Sequence, residues 1–454
     1  PIYTLDLGSA ASFVYKRLLL FLIILLLTVV SGAAKSASDT TVAKQSTLPD
    51  SLTVSLVTCY PGSDIYALCG HEGIRIRTAT TDSIWNYGLF DFTTPNFVTR
   101  FALGETDYMV AGFPFDWFLP EYVGRGSKVV EQQLNLSQNE AKAIRAALRE
   151  VSLPQNNTYR YNYVKRNCAT EIRDLVEKET AHRIIFTDSV NHDTFRDAMR
   201  YYHRNYPWYQ FGIDLVLGSG LDRKISSEEE MFAPLDMMKK FSTAHYDNGK
   251  PVVSRSITIY EGRDAVLPPT PWYLTPLFLS SIVFIFSLSA MFFALKTGKY
   301  PRWWYSLWFL ALGLIGVIVA FLVFFSAHEA TSPNMLLLWL NPLQLIPAIA
   351  VWMRRRTIST VFSWLNVVIT GSLLIIWPFL KQTTALAVFP LMGATVATAI
   401  GLIIRNGRMK DMVDSQTISF VTPRRRNTSG RSNTKTRRSS AGKQLSKKII
   451  RNLK

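Results

Sequence analysis

The sequence predicts an α+β exported domain followed by an all-α membrane domain of five helices. Strand-like alternation and amphipathic helical patterns occupy the soluble region, and hydrophobic runs dominate residues 272–404. A short apolar segment near the N-terminus has the pattern of an export signal. With 454 residues, 48% of them hydrophobic, the chain is long enough for two or three domains.

The first 36 residues have the order of a secretory signal. Lys16 and Arg17 precede a thirteen-residue apolar core, which small residues follow. This segment is either cleaved or kept as an N-terminal anchor, and both alternatives leave the next domain on the exported side. We expect that domain to span residues 37–265, with a thiol-containing core at about 48–179 and a helical extension at about 180–265.

The exported core begins with strand signals and continues with helix signals. "SLTVSLVTCY" alternates as a strand does, and "HEGIRIRTAT" and "SIWNYGLFDF" flank a short turn as in a hairpin. "LNLSQNEAKAIRAALREV" predicts an amphipathic helix, with Ser137 as N-cap and Glu140 completing a capping box. Another helix should follow Asn167, a good N-cap, because apolar residues such as Ile172 and Val176 recur at helical spacing.

The second half of the chain contains five segments long and apolar enough to span a bilayer, which takes about twenty residues. The third contains "NPLQLIP", so we expect a kink in it. Together they predict a transmembrane domain over residues 270–404. The five segments are residues 272–295, 304–327, 335–352, 358–380 and 385–404.

Charge divides the loops between two sides of the membrane. "KTGKYPR" and "RRRTIS" are basic, as cytoplasmic loops are, whereas "AHEATSPN" and "KQTT" carry little positive charge and should face outward. Residues 405–454 hold fifteen Lys and Arg against two Asp, a net charge of +13 out of +17 for the chain. The basic balance therefore describes a cytoplasmic tail and not a nucleic-acid-binding domain. The tail either contacts anionic lipid of the inner leaflet or only determines topology.

Cys168 lies in the first turn of the predicted helix in "YNYVKRNCATEIRDL". A thiol at this position meets unpaired backbone N–H groups and the positive end of the helix dipole, and both favour the thiolate. We therefore expect its pKa to fall from about 8.5 into the range of about 3.5–7.5 found for reactive cysteines. The alternative is that Cys168 is a small buried apolar residue, as most cysteines are.

A thiol nucleophile needs a base, and His71 is the candidate among six histidines. His71 follows Gly70 at the start of a predicted strand, where a glycine lets backbone or substrate approach closely. His328 falls in a short loop between two spans. The other histidines lie in charged stretches and are expected to be exposed: His182, His192, His203 and His245.

Other motifs favour ordinary structural roles. "GHEG" lacks a second histidine at helical spacing, so we expect neither zinc nor another cofactor. Two alternatives stay open for Cys59 and Cys69, a disulfide and separate burial. The aromatic stretch "FPFDWFLPEY" favours core packing over an apolar lip at the membrane surface.

A series of longer motifs lies in order between residues 51 and 237: "SLVTCYPGSDIYALCGHEGIRI", "IWNYGLFDFTTPNFVTRFALGETDYMV", "EYVGRGSKVVEQQLNLSQNE", "YRYNYVKRNCATEIRDL" and "WYQFGIDLVLGSGLDRKISSEEEMFAPLDM". This series resembles the Lnb family of bacterial lipoprotein N-acyltransferases, which have a periplasmic N-terminal domain and a multi-span C-terminal domain. The order of a His71 strand before a Cys168 helix also resembles the permuted papain-like fold of NlpC-type and lecithin:retinol acyltransferase-like proteins. The resemblance implies an inner-membrane protein with a permuted papain-like domain in the periplasm.

The resemblance also implies a reaction. Cys168 would attack an acyl ester of a diacylglyceryl lipoprotein, and the α-amine of the lipoprotein's N-terminal cysteine would then take the acyl chain from the thioester. His71 would act as base and acid, and Asn86 is the first candidate to orient it, with Tyr87 and Asp91 as alternatives. The implied partners are diacylglyceryl lipoproteins and membrane lipids, and the acyl donor is either the lipoprotein's own glycerol or a phospholipid.

Two other functions compete with acyl transfer. A membrane-tethered cysteine hydrolase, a peptidase or amidase of the cell envelope, would use the same Cys168 and His71. A non-enzymatic binding domain on a membrane anchor would leave Cys168 as a structural residue. The five spans favour a substrate in the bilayer over a cell-wall peptide.

Overall fold

The computed structural model describes residues 51–421, except 65–66, 91–94, 188 and 264–269, and gives only the backbone at 413–421. The predicted signal segment, the basic tail beyond residue 421 and Asp91 lie outside the described residues.

Nine strands build the exported domain among the described residues. They are β1 (Thr53–Cys59), β2 (His71–Arg77), β3 (Asp82–Leu89), β4 (Asp107–Pro114), β5 (Val129–Leu134), β6 (Thr158–Arg160), β7 (Ile184–Ile185), β8 (His245–Tyr246) and β9 (Val253–Tyr260). Seven of them form one antiparallel sheet in the order β6-β4-β3-β2-β1-β5-β9, and β7 pairs with β8. The predicted strand is confirmed as β1, and the predicted hairpin is confirmed as β2 and β3.

Eight α-helices accompany these strands in the described part of the exported domain. They are α1 (Phe97–Leu103), α2 (Phe115–Arg125), α3 (Gln138–Val151), α4 (Cys168–Glu179), α5 (Phe195–His203), α6 (Pro207–Val216), α7 (Ser227–Glu230) and α8 (Pro234–Thr243). Both predicted caps are confirmed. The Ser137 hydroxyl accepts the Glu140 N–H at 3.3 Å at the start of α3. The Asn167 side chain accepts the N–H groups of Ala169 and Thr170 at the start of α4.

Alternation along the central strands separates two apolar layers. Leu56 and Ile74 point to the layer that α3, α4 and α8 cover. Ile84 and Cys59 point to the opposite layer, where α2 supplies aromatic side chains. The stretch "FPFDWFLPEY" therefore contributes mainly to the core, as the favoured interpretation holds, although Trp117 in it is 73% exposed.

Five helical segments of the described chain are long and apolar enough to cross a bilayer. They are Pro276–Thr297, Arg302–Phe324, Met335–Trp352, Arg356–Phe379 and Val388–Met412. Each overlaps one predicted span, so the fold class of an α+β domain followed by a five-helix membrane domain is confirmed. The third span is broken, as "NPLQLIP" predicts, because two 3₁₀ turns precede its α-helical part. The α-helices of this domain are α9 (Pro276–Thr297), α10 (Arg302–Phe324), α11 (Leu345–Trp352), α12 (Arg356–Ile376) and α13 (Val388–Val421).

The helical extension of the exported domain docks onto two loops that join the spans. The Ser219 N–H donates to Pro333 O at 2.8 Å, and the Asn334 side chain donates to Leu215 O at 2.9 Å. From the second loop, Thr383 donates to Asp222 at 2.6 Å. A Cβ at Gly218 would lie 2.3 Å from Pro333 O, so only glycine fits this close contact. The loops 325–334 and 380–387 therefore lie on the same side of the membrane as the exported domain.

A buried ionic network stiffens the part of the extension that makes this contact. Arg196 is fully buried and binds Asp214 at 2.9 Å and Asp222 at 2.8 Å. Arg200 also binds Asp214 and reaches Thr383 at 3.2 Å. Because buried charges are tolerated only when they are paired, these ion pairs hold α5 and α6 in one arrangement against the membrane domain.

Candidate active site

His71 is the first residue of β2, and a glycine conformation positions it. Gly70 has φ +83°, and a Cβ there would lie 2.5 Å from Cys59 O. An L-residue would meet both backbone strain and a clash at this position. The tight turn delivers His71 opposite Cys59 in the β1–β2 register.

The His71 imidazole contacts Asn86 on the next strand. The two atoms His71 Nε2 and Asn86 Oδ1 are 2.8 Å apart, and Asn86 is buried. An amide oxygen can only accept, so with this amide orientation Nε2 carries the proton and Nδ1 is left as the basic nitrogen. Of the three candidates for the orienting residue, Asn86 thus makes the contact. Tyr87 points to the opposite layer of the sheet, and Asp91 is outside the described residues.

Aromatic side chains of α2 cover the other side of the imidazole. The Tyr122 ring stacks on His71 with centroids 6.1 Å apart and planes at 10°, and the Phe118 ring lies at 6.4 Å. Burial in this environment lowers the pKa of His71, although the Asn86 hydrogen bond opposes the shift. His71 is therefore neutral in the neutral pH range.

Cys168 is the first residue of α4, as the sequence predicts, but its expected acidity is wrong. Burial raises the pKa of the Cys168 thiol above its ordinary value. Backbone N–H groups of Glu72, Ala169 and Cys168 itself oppose the increase without reversing it. The helix terminus acts in the expected direction, but the loss of hydration is larger.

Cys168 and His71 lie near the same end of β2, on opposite faces of the sheet. The thiol lies beside the backbone of Glu72, the residue that follows His71. The described pairing of β2 with β3 begins only at Gly73 and Asn86, so the first two residues of β2 are open toward α4. No hydrogen bond joins His71 to Cys168 in the part of the chain that the structure describes.

Sequence reasoning missed the buried carboxyl of Glu72. Its Oε2 accepts the Thr58 hydroxyl at 2.8 Å, whereas its Oε1 is buried with no hydrogen-bond partner among the described residues. Burial raises the pKa of Glu72 well above its ordinary value, and the nearby Cys168 adds to the increase. The signal that could have found it is the position of Glu72 in "GHEGIRI", an acidic residue directly after His71 and at the start of an apolar strand.

The other cysteines and histidines depart in part from expectation. All three cysteines are free thiols, so the disulfide between Cys59 and Cys69 is absent, and Cys69 contacts the Tyr163 hydroxyl at 3.0 Å. His203 is buried and bound to Gln210, so its expected exposure is wrong. The reason is that the amphipathic helix α5 turns its last residue inward, which charged neighbours in the sequence conceal.

One cluster away from this site has the ligand types of a metal centre. Side-chain atoms of His192, Glu230 and Asp236 lie within 4.8 Å of one another. The Lys240 ammonium lies 2.9 Å from Glu230, and the Tyr202 hydroxyl donates to Asp236 at 2.6 Å. The Lys239 ammonium also lies 3.3 Å from Asp236, so both carboxylates of the cluster are paired with lysines in a buried ionic network.

A cavity of about 250 Å³ opens beside His71 and Asn86. Phe90, Phe118 and Tyr122 line it together with polar residues that include Glu121 and Arg125. From Phe90 a row of aromatic contacts continues outward to Phe97, 5.9 Å away between ring centroids, and then to Phe101 at 6.2 Å.

The aromatic row ends at the membrane domain. The Phe101 ring lies 5.9 Å from His328, and the Ala327 N–H donates to Leu103 O at 2.7 Å just beyond the outer end of α10. Helix α1, which carries Phe97 and Phe101, buries none of its residues, and Val98 in it is 79% exposed. An apolar helix held at the end of a membrane span is positioned at the surface of the bilayer.

Comparison with known proteins gives two matches along the chain. Residues 39–201 match the family model of the Lnb N-terminal periplasmic domain, and residues 269–408 match that of the Lnb transmembrane domain. No curated protein and no solved structure matches the chain. The two matches follow each other in the order expected for the family and together cover most of the sequence. The chain therefore belongs to the Lnb family, and this membership indicates a membrane-anchored enzyme of lipoprotein processing with its N-terminal domain in the periplasm.

Proposed function

We propose that this protein is a lipoprotein N-acyltransferase that uses Cys168 as nucleophile, His71 as general base and Asn86 as orienting residue. The main support is the 2.8 Å contact between His71 Nε2 and Asn86 Oδ1. It lies at the start of β2, next to the helix that begins with Cys168. A cysteine, a histidine and an asparagine in these roles are the constellation of papain-like enzymes. We propose the permuted papain-like fold for the exported domain on the same ground.

The reaction has two half-steps. The Cys168 sulfur attacks the carbonyl carbon of an acyl ester on a diacylglyceryl group, and His71 Nδ1 takes the thiol proton. The same proton goes to the departing glyceryl oxygen, which leaves a thioester on Cys168. The α-amine of the lipoprotein's N-terminal cysteine then attacks the thioester, and its proton returns through His71 to the thiol sulfur.

The protonation states favour a proton transfer during attack over a preformed ion pair. Burial raises the pKa of Cys168 and lowers the pKa of His71, so thiol and imidazole are both neutral before substrate binds. The imidazole has to reach the sulfur around the open start of β2, and such catalytic contacts often tighten only when substrate is bound. The backbone N–H of Cys168 at the N-terminus of α4 is the proposed donor to the oxyanion.

The surroundings of the site favour an acyl substrate over a peptide. The cavity beside His71 has aromatic walls, and the row from Phe90 to Phe101 ends at the outer end of α10. We propose that an acyl chain follows this row from the bilayer to the cavity beside His71, whose lining also includes Glu121 and Arg125. We propose that diacylglyceryl lipoproteins and membrane lipids use this route, and that the protein lies in the bacterial inner membrane with its tail in the cytoplasm.

The first test is N-acylation of a synthetic diacylglyceryl lipopeptide by purified full-length protein in vesicles, measured by mass spectrometry. Cys168→Ala should lose the activity and also the acyl adduct that wild type forms on Cys168 when the amine is blocked. His71→Ala should lose about 10²–10⁴-fold, the usual contribution of a general base. The matched controls Cys69→Ala and Glu72→Gln should remain active.

The same assay separates the competing functions. Release of free fatty acid without an N-acylated product would identify a hydrolase that uses the same residues. Activity of Cys168→Ala at the wild-type level would refute the mechanism. Loss in Glu72→Gln as large as in His71→Ala would assign the proton transfer to the buried carboxyl instead.

The second test concerns the aromatic row. Phe97→Ser and Phe101→Ser should lower lipopeptide acylation in vesicles by about ten-fold. Each variant removes the apolar contact between one aromatic ring and the acyl chain on the proposed route. Leu153→Ser changes an exposed apolar residue just after the C-terminus of α3 and should have little effect. Modification of Cys168 by iodoacetamide should stay unchanged in all three variants. Equal activity of the row variants and wild type would show that lipid enters elsewhere.

A further inference from the structure

Four arginine residues converge on one cavity at the end of the spans opposite the exported domain. Arg302 begins α10, Arg354 lies in the turn before α12, Arg356 begins α12, and Arg405 lies in α13. All four line a cavity of about 170 Å³, here named the arginine pocket, together with Asn406 and other uncharged residues. No carboxylate belongs to its lining among the described residues.

Loop topology alone does not explain this convergence. The tendency of basic residues to stay on the cytoplasmic side requires only that they lie near the ends of the spans. Here three separate stretches of the chain bring their guanidinium groups to one place. Arg354 adopts φ +55°, a left-handed backbone conformation that is uncommon for a residue with a side chain. Asn406 is held in the lining by a hydrogen bond to Thr360 at 2.9 Å.

The depth of the pocket corresponds to the membrane surface. Trp303 and Trp352 flank it and are both about half exposed, as tryptophans at the lipid headgroup level are. The Arg302 guanidinium lies over the Trp352 ring at 6.0 Å from its centroid. A ligand of the arginine pocket is therefore within reach of the headgroups of that leaflet.

Several guanidinium groups around one cavity form a site whose charge and geometry suit a phosphate group. Arg302, Arg354 and Arg405 bring like charges together, and an anion between them lowers their mutual repulsion. The planar fork of arginine matches the oxygens of a phosphate in pairs, and basic pockets between membrane helices bind phospholipid headgroups. We propose that the arginine pocket binds the phosphate of an anionic phospholipid in the leaflet opposite the exported domain. This site is separate from the thiol, so it stands independently of the acyl-transfer proposal.

The test uses full-length protein, delipidated in a neutral detergent, and short-chain phosphatidylglycerol as the probe. Titration should raise the unfolding temperature in a saturable way, and short-chain diacylglycerol, which lacks the phosphate, should not. Arg354→Gln and Arg405→Gln should weaken the apparent affinity by about ten-fold each, the effect of losing one charged hydrogen-bonded pair. Arg355→Gln is the matched control, because Arg355 is exposed at the same turn but does not line the pocket.

Separate arms distinguish the alternatives. Inorganic phosphate at the same concentrations should neither stabilise the protein nor displace the lipid, and if it does both, the pocket binds free phosphate and the lipid assignment is wrong. An equal loss in Arg355→Gln would indicate diffuse charge attraction and overturn the proposal. Should a glutamine variant fail to fold, Arg354→Lys and Arg405→Lys keep the charge but lose the fork. These variants should still bind more weakly than wild type, and wild-type affinity in them would overturn the proposal.

Discussion

Cys168 and His71 show how burial acts on two neighbouring groups in opposite directions. Removing water disfavours the charged form of each, which raises the pKa of the thiol and lowers the pKa of the imidazole. The N-terminus of α4 and the backbone of Glu72 attract a negative sulfur, but they do not replace the lost hydration. Both directions favour the neutral forms, and in the proposed mechanism the thiol therefore loses its proton only as it attacks.

This protonation state predicts the pH dependence of thiol modification. Because burial raises the pKa of Cys168, iodoacetamide should modify it slowly at pH 7 and faster only as the pH rises past about 8.5, the value of a free thiol. His71→Ala should leave the profile near pH 7 unchanged, since a neutral imidazole does not stabilise a thiolate. Peptide mass spectrometry of Cys168 across pH, with glutathione as reference, measures both profiles. A half-maximal rate below about pH 7.5 in wild type would instead indicate a thiolate–imidazolium pair.

Among the elements, α4 depends most on a single side chain. Asn167 caps the helix through its oxygen, and its Nδ2 donates to Tyr163 O and Phe232 O, both at 2.8 Å. Asn167 thus ties the N-terminus of α4, and the thiol with it, to the preceding turn and to the segment before α8. Ser137 caps α3 with a capping box of the same kind, but in an exposed position away from the thiol.

The two caps therefore form a matched pair for mutation. Asn167→Ala should lower the free energy of unfolding by about 2–3 kcal/mol, the loss of a cap plus that of buried hydrogen bonds, and should lower acylation strongly. Ser137→Ala should cost about 1 kcal/mol and leave acylation intact at a temperature where the protein is folded. Chemical denaturation and the lipopeptide assay measure the two effects. Full activity of Asn167→Ala would mean that the position of the α4 N-terminus does not limit the reaction.

Over the whole molecule, contacts between the exported domain and the loops agree with the topology expected from charge. The loops that contact the helical extension are those with little positive charge, and the basic loops lie at the opposite ends of the spans. The resulting arrangement holds the thiol domain over the outer ends of the spans.

This topology predicts the accessibility of single cysteines in spheroplasts. Lys381→Cys, in a background without the three native cysteines, should react with an impermeant thiol reagent from outside, because residue 381 is exposed in the loop that contacts the exported domain. Arg355→Cys should react only after the membrane is permeabilised. Asn334, although it lies on the exported side, is buried and therefore unsuitable as a probe. Labelling of residue 355 in intact spheroplasts would contradict the arrangement.

Features that depend on neighbouring residues could be predicted without the folded structure. The spans, the β2–β3 hairpin and the caps at Ser137 and Asn167 follow from periodicity, apolar length and local hydrogen bonding, which need no distant partner. The resemblance carried by the longer motifs correctly identified the family.

Features that depend on burial, or on residues far apart in the chain, became visible only in the folded protein. The pKa direction of Cys168, the raised pKa of Glu72 beside it and the inward turn of His203 all follow from which side chains lose water, and local pattern does not specify that. The contact of His71 with Asn86 needed the register of two strands, and the arginine pocket needed three membrane helices to pack. Electrostatic energies vary steeply with solvent exposure and distance, so they become predictable only once the chain is folded.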